Sequence, residues 1–182
     1  MEKNEVFNKA FLDILIEQKV ISSDKVSEIS GRFADSSIAE FDAFLLEEGL
    51  ADVEQILIAL AMYYHVPYFD TEGHFFETFL LRKFPKDFLM RHAIIPLQVE
   101  GDFMIVVAAH PELGGLESAM RNYVSYDIEF LVGIRRHITD AIEEYYDKSL
   151  VEDAENTEMH EHELGERDVY EVLQENDDED DV

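Results

Sequence analysis

The stretch that most limits what this chain can fold into is Ile94 to Pro111, IIPLQVEGDFMIVVAAHP. Two apolar runs, Ile94 to Val99 and Phe103 to Ala109, flank Glu100-Gly101-Asp102. Gly101 has no Cβ to clash, so it can take the positive φ that the first central position of a type II′ hairpin turn requires. The second run contains no polar residue and is predicted to be a strand buried on both faces. Such a strand needs cover on each side, and the rest of the chain has to supply helices.

A repeat supplies the first of them. Phe7, Phe11, Ile14 and Leu15 recur at helical spacing over Val6 to Gln18, and Ser22-Ser23-Asp24 is a helix start ahead of Val26, Ile29 and Phe33. About thirty residues later the same order returns. Phe41, Phe44, Leu45 and Leu46 mark one helix, Gly49 breaks it, and Asp52 is the natural N-cap of a second carrying Ile56, Leu57, Leu60 and Ala61. Neither hairpin could bury its apolar stripe alone, so the two are expected to pack together. Pro67 then stops the helix, and Tyr68-Phe69 follows as an apolar anchor.

Beyond Asp70, Leu80-Leu81 and the run Phe84 to Met90 read as a helix restarted at Pro85. After the hairpin, Leu116, Ala119, Met120 and Tyr123 fall on one face of a crossover helix, Ile128, Phe130 and Val132 alternate as a third strand, and Ile134, Ile138, Ala141, Ile142 and Tyr145 mark a last helix. The predicted class is α+β. An N-terminal four-helix subdomain of two helical-hairpin repeats (1–70) precedes a small α/β subdomain with a β-hairpin, one further strand and packed helices (71–148), and an acidic tail (149–182) ends the chain.

The chain carries 42 acidic and 14 basic residues, a net charge of −28. Residues 151–182 hold 15 acids and one base, Arg167, so half of that excess lies in the tail. Like charges in Asn176 to Asp181 repel one another and predict an extended, disordered segment, interrupted by Val169, Tyr170, Val172 and Leu173, which could form a turn or two of helix on a partner. A surface this acidic disfavours nucleic acid and anionic lipid. With no Cys, no long apolar run and no signal-peptide pattern, the expected location is the cytoplasm, without direct membrane insertion.

The unit FLLEEGLADVEQILIALAMYYHVPYFD, followed by LLRKFPKDFLMRHAIIPLQVEGDFMIVVAAHPE and closed by VGIRRHITDAIEEYYD, resembles the N-terminal domain of the type II secretion and type IV pilus assembly ATPases. This is the GspE/PilB N-terminal region, with the helical repeats similar to its MshEN subdivision. The order of elements over residues 6–148 carries the resemblance. Those ATPases have a downstream P-loop, whose Lys reaches the terminal phosphate. None of the eight Gly here is followed by Lys, so the chain is read as the accessory domain standing alone, and not as an enzyme.

The resemblance also implies a ligand, because MshEN repeats bind cyclic di-GMP through an Arg-Leu-Gly start and a later Gly and Gln. Here the Arg positions hold Ala10 and Glu40, and the first Gly positions hold Leu12 and Asp42. Gly49 and Gln55 keep the later pair in the second repeat, while the first repeat has Lys19 and Lys25. A Glu facing a phosphate is repulsive, and Gly49 and Gln55 read more simply as a helix-turn residue and a surface residue. Cyclic di-GMP receptor is therefore the alternative function.

The main basic cluster is Arg82, Lys83, Lys86 and Arg91, beside Leu80, Leu81, Phe84, Phe88 and Met90. It is the candidate partner-binding edge, and Val169, Tyr170 and Leu173 form a second one. His160 and His162 lack a fixed framework for a metal, His65, His92, His110 and His137 are dispersed, and no cofactor or catalytic set is expected. The chain is read as an interaction or regulatory module that docks a cytoplasmic component of a secretion or pilus machine, or its ATPase.

Overall fold

The computed structural model describes residues 5–146. Four helices come first: α1 (Glu5–Glu17), α2 (Val26–Asp35), α3 (Phe41–Glu47) and α4 (Val53–Tyr64). Two short ones, α5 (Thr78–Leu81) and α6 (Lys86–His92), lead to the strands β1 (Ile94–Glu100) and β2 (Phe103–Ala108). Helix α7 (Leu116–Met120) then precedes β3 (Asp127–Val132), and a last helix, α8, runs over 135–146. The class is α+β, as the sequence implies.

The two helical hairpins are built on one turn. Helix α3 ends with Gly49 at φ 63°, and the Gly49 and Leu50 amides donate to the Leu46 and Leu45 carbonyls at 3.0 and 2.9 Å. This is a Schellman closure, which satisfies carbonyls that the end of a helix leaves without partners. Helix α1 closes identically: the Lys19 and Val20 amides donate to Ile16 and Leu15, both at 2.9 Å, with Lys19 at φ 61°. The repeat thus extends to backbone conformation, and the first copy puts a Lys where a Gly is cheaper. At the start of α4, Asp52 accepts from the Gln55 amide at 2.8 Å and its own amide donates to the Gln55 side chain at 3.0 Å, a complete capping box.

The sheet has the order β1-β2-β3. β1 pairs antiparallel with β2, from Glu100↔Phe103 to Ile94↔Ala108, with a bulge between Pro96 and Gln98 where the proline has no N–H to give. Gly101 has φ 60° and Asp102 does not share a positive φ, which fits the type II′ turn. β3 runs parallel to β2, in register from Phe103↔Asp127 to Ala108↔Val132. The far edge of β3 is capped by the segment after α4: the Val132 amide donates to the Pro67 carbonyl at 2.8 Å and the Phe69 amide to the Val132 carbonyl at 2.9 Å. β2 is buried from Val106 to Ala108, but Phe103 at the hairpin tip is exposed and Ile105 half-buried, so burial on both faces holds only for the inner end.

One apolar cluster runs through the helical repeats and reaches the sheet. Phe11, Leu15, Phe33, Phe41, Phe44, Ile56 and Leu60 pack in it together with Val132 and Ile134, from the end of β3 and just after it. Residues up to Glu143 form one compact unit. Pro85 stands at the N-cap of α6 with ψ 141°, one position before the helix proper, and Tyr123 lies past the end of α7 and is exposed.

Because Lys19 sits in the left-handed region without Gly's freedom, Lys19→Gly should stabilise the fold by about 0.5–1 kcal/mol, and Gly49→Ala should cost about as much. Equilibrium urea unfolding of both variants checks this. A loss of stability in Lys19→Gly would contradict the shared-turn account.

Candidate functional site

Two features stand out, a cavity at one end of the sheet and an exposed edge around α5 and α6. Parallel strands β2 and β3 both end where the chain turns into loops, and the carboxyl ends of parallel strands are where crevices form. Ala109 and His110 follow β2, and Gly133 and Arg135 follow β3. Gly133 has to be small: a Cβ there would stand 2.6 Å from Val107 Cγ1 and 3.1 Å from the Phe69 carbonyl. Above these residues sit Phe7 and Asn8 of α1, Leu60 and Tyr64 of α4, and the start of α3, enclosing a cavity of about 250 Å³.

Its polar groups come from distant parts of the sequence. The Tyr64 hydroxyl and His110 Nδ1 share a hydrogen bond of 2.9 Å. Glu40, at the N-cap of α3, faces Arg135 at 3.8 Å. Asp42, in the first turn of α3, also lines the cavity although it is only 8% exposed. Burial pushes its carboxyl above the usual carboxylate range and Glu40 adds to that, while the Ala43 amide and His110 oppose it. Burial likewise pushes the Tyr64 phenol up, reinforced by Glu112, Tyr63, Asp42 and Glu40. Glu40, Asp42 and Glu112 against Arg135 leave this cavity acidic.

The edge looks different from its sequence expectation. Leu80, Leu81 and Phe84 are buried and belong to the core, so they offer no surface to a partner. Sequence spacing marked them as apolar; it could not show that their face packs inward, where the α5 turn meets β1. Arg82, Lys83 and Arg91 are exposed and Lys86 is half-buried. Phe88 is half-buried and its ring lies 5.9 Å from Phe84 and 4.9 Å from Tyr123. The most exposed aromatics here are Phe75 (88% exposed) and Phe79 (61%), which the sequence reading did not select. Phe79 precedes Arg82 and Lys83 by three and four positions, the spacing that shares a helical face.

Of the alternative ligand residues, Gly49 and Gln55 are both engaged locally, in the helix closure and the capping box described above. Val169, Tyr170, Leu173, His160 and His162 lie outside the described residues. A further cluster joins Asp70, Glu72 and His137, with donor atoms within 4.8 Å of one another. The imidazole is 3.3 Å from Asp70, within hydrogen-bond reach, and 3.8 Å from Glu72, which ties Asp70 to α8. Among the described residues no helix is long and apolar enough to cross a membrane.

The sequence of residues 64–152 matches the model of the MshEN domain. No curated protein matches the chain. Among solved structures it is similar to MshE, solved with cdg, at 18% identity and a TM-score of 0.58, over 75% of this chain and 98% of that one. It is similar also to the N-terminal domain of XpsE, at 18% identity and a TM-score of 0.50, over 79% of this chain and 97% of that one. These likenesses show that the chain shares the fold of MshE and of the N-terminal domain of XpsE.

Asp42 binds its proton more tightly in the folded than in the unfolded state, so its ionisation weakens the fold. Below about pH 4 both states are protonated and nothing is lost; as pH rises through the raised folded value, the unfolded state is favoured. Asp42→Asn should therefore raise the thermal midpoint at pH 7 by roughly 2–4 °C, with the gain shrinking toward zero near pH 3. A lower midpoint at pH 7 would show the carboxylate to be a structural anchor instead.

Proposed function

We propose that this chain is a regulatory interaction module that docks a cytoplasmic component of a type II secretion or type IV pilus machine, or its ATPase. The observation that carries the reading is the exposed aromatic and basic edge of Phe75, Phe79, Arg82 and Lys83 on a chain of net charge −28. Large aromatics exposed to this degree, next to cations, are the composition of a docking surface whose centre is apolar and whose rim is charged. The complementary partner surface is acidic at its rim and apolar at its centre. The fold likeness to MshE and to the N-terminal domain of XpsE, with the match of residues 64–152 to the MshEN domain, supports that pathway and a role without turnover.

Cyclic di-GMP receptor is the second reading, favoured by the likeness to MshE, whose structure was solved with cdg. Against it, Glu40 and Asp42 present carboxylates where a phosphate would have to approach, and Gln55 is held in its cap.

Affinity capture with the full chain should recover a named secretion or pilus component. Phe79→Ser combined with Lys83→Glu should reduce that recovery about tenfold or more while leaving the thermal midpoint unchanged, since both side chains are exposed. Capture that is equally efficient with the double variant would refute this edge. Calorimetry with cyclic di-GMP decides the second reading: saturable heat supports it, and its absence at micromolar protein ends it.

A further inference from the structure

The cavity at the carboxyl ends of β2 and β3, whose carboxylates count against the second reading, has a chemistry that suits a ligand of the opposite charge. Its lining includes the buried Asp42 carboxyl, more than nine-tenths hidden, with hydrogen bonds to backbone amides and, among the described residues, no cationic side chain within salt-bridge distance. Glu40 and Glu112 add negative charge, and Arg135 stands 3.8 Å from Glu40. Phe7 and Phe41 form apolar walls, and the Phe7 ring stacks toward that of Tyr64 with centroids 6.3 Å apart. Anions are repelled from such a space. A planar cation is favoured, because carboxylates accept its paired N–H donors and aromatic faces attract its charge.

We propose that this cavity is a receptor for a guanidinium group. Guanidinium fits better than ammonium on two grounds: it is weakly hydrated and so enters an apolar-walled space at lower cost, and its flat face stacks on rings. A volume of about 250 Å³ suits a side-chain-sized ligand and falls below the range usual for drug-sized molecules. The group can arrive on a free small molecule or on an arginine of a protein chain. An occupant would also neutralise Asp42, so binding offsets the stability that its burial removes. The inference does not depend on the docking edge, whose residues are separate from those of the cavity.

The test is an NMR titration of the full chain at neutral pH and low salt, with methylguanidinium, its neutral counterpart methylurea, and two acetylated tripeptide amides, Gly-Arg-Gly and its citrulline analogue. Saturable shifts at the Phe41, Asp42, Ala109 and His110 amides are expected with methylguanidinium and with the arginine peptide, and not with the neutral pair. If the peptide saturates at about tenfold lower concentration, the natural ligand is carried on a chain; if methylguanidinium matches it, the ligand is a free small molecule. Asp42→Asn should weaken binding about tenfold or more while raising the thermal midpoint, so loss of binding cannot be mistaken for loss of fold. Glu40→Gln provides an independent second variant with the same expected direction. Equal responses to charged and neutral probes, shifts that never saturate, or full binding by both variants would overturn the proposal.

Discussion

Strand β2 has hydrogen-bonded neighbours on both sides, antiparallel β1 and parallel β3, and its inner half is buried on both faces. A strand so placed exposes no free edge and no polar face, and everything near it has to be arranged to provide cover. The tight turn at Gly101 brings β1 alongside at once. The parallel partner needs a crossover, which α7 supplies. The remaining apolar demand, at the carboxyl ends of β2 and β3, is met by the helical hairpins, whose core includes Val132 and Ile134.

That arrangement also creates the cavity. Two parallel strands ending side by side leave space that loops do not fill, and Gly133, which lines it, lets the chain pass within contact distance of Val107 and Phe69. The helices roof it with the first turn of α3, which puts Glu40 and Asp42 there. Holding a carboxyl in that position works against stability, since desolvation disfavours its charged form. Residues that weaken a fold in this way are the ones most often found where a protein meets a ligand. The exposed Phe75 and Phe79 are a different kind of feature, apolar surface left uncovered on the outside.

Much of the architecture was legible because it is local. The hairpin, the helical periodicity, the Asp52 cap and the crossover all follow from residues a few positions apart. The repeat even located Lys19 opposite Gly49, though only the backbone shows that both adopt the same left-handed turn. What the sequence hid depends on separation. Tyr64 and His110, Glu40 and Arg135, and Asp70 and His137 meet across long stretches of chain that no spacing rule connects. Apolar character likewise says nothing of direction in a one-turn helix. Leu80, Leu81 and Phe84 face the core, while Phe79, of the same type, faces out.

The account stands on a shared core between the helical hairpins and the sheet, and native-state amide exchange measures that sharing most directly. If the core is common, the slowest amides of α4 and those of β2 and β3, together with Val132 and Phe69 at the junction, should open with one free energy equal to that of global unfolding. If the α4 amides exchange with a distinctly smaller free energy while the sheet remains protected, the hairpins fold as an independent body and the account fails.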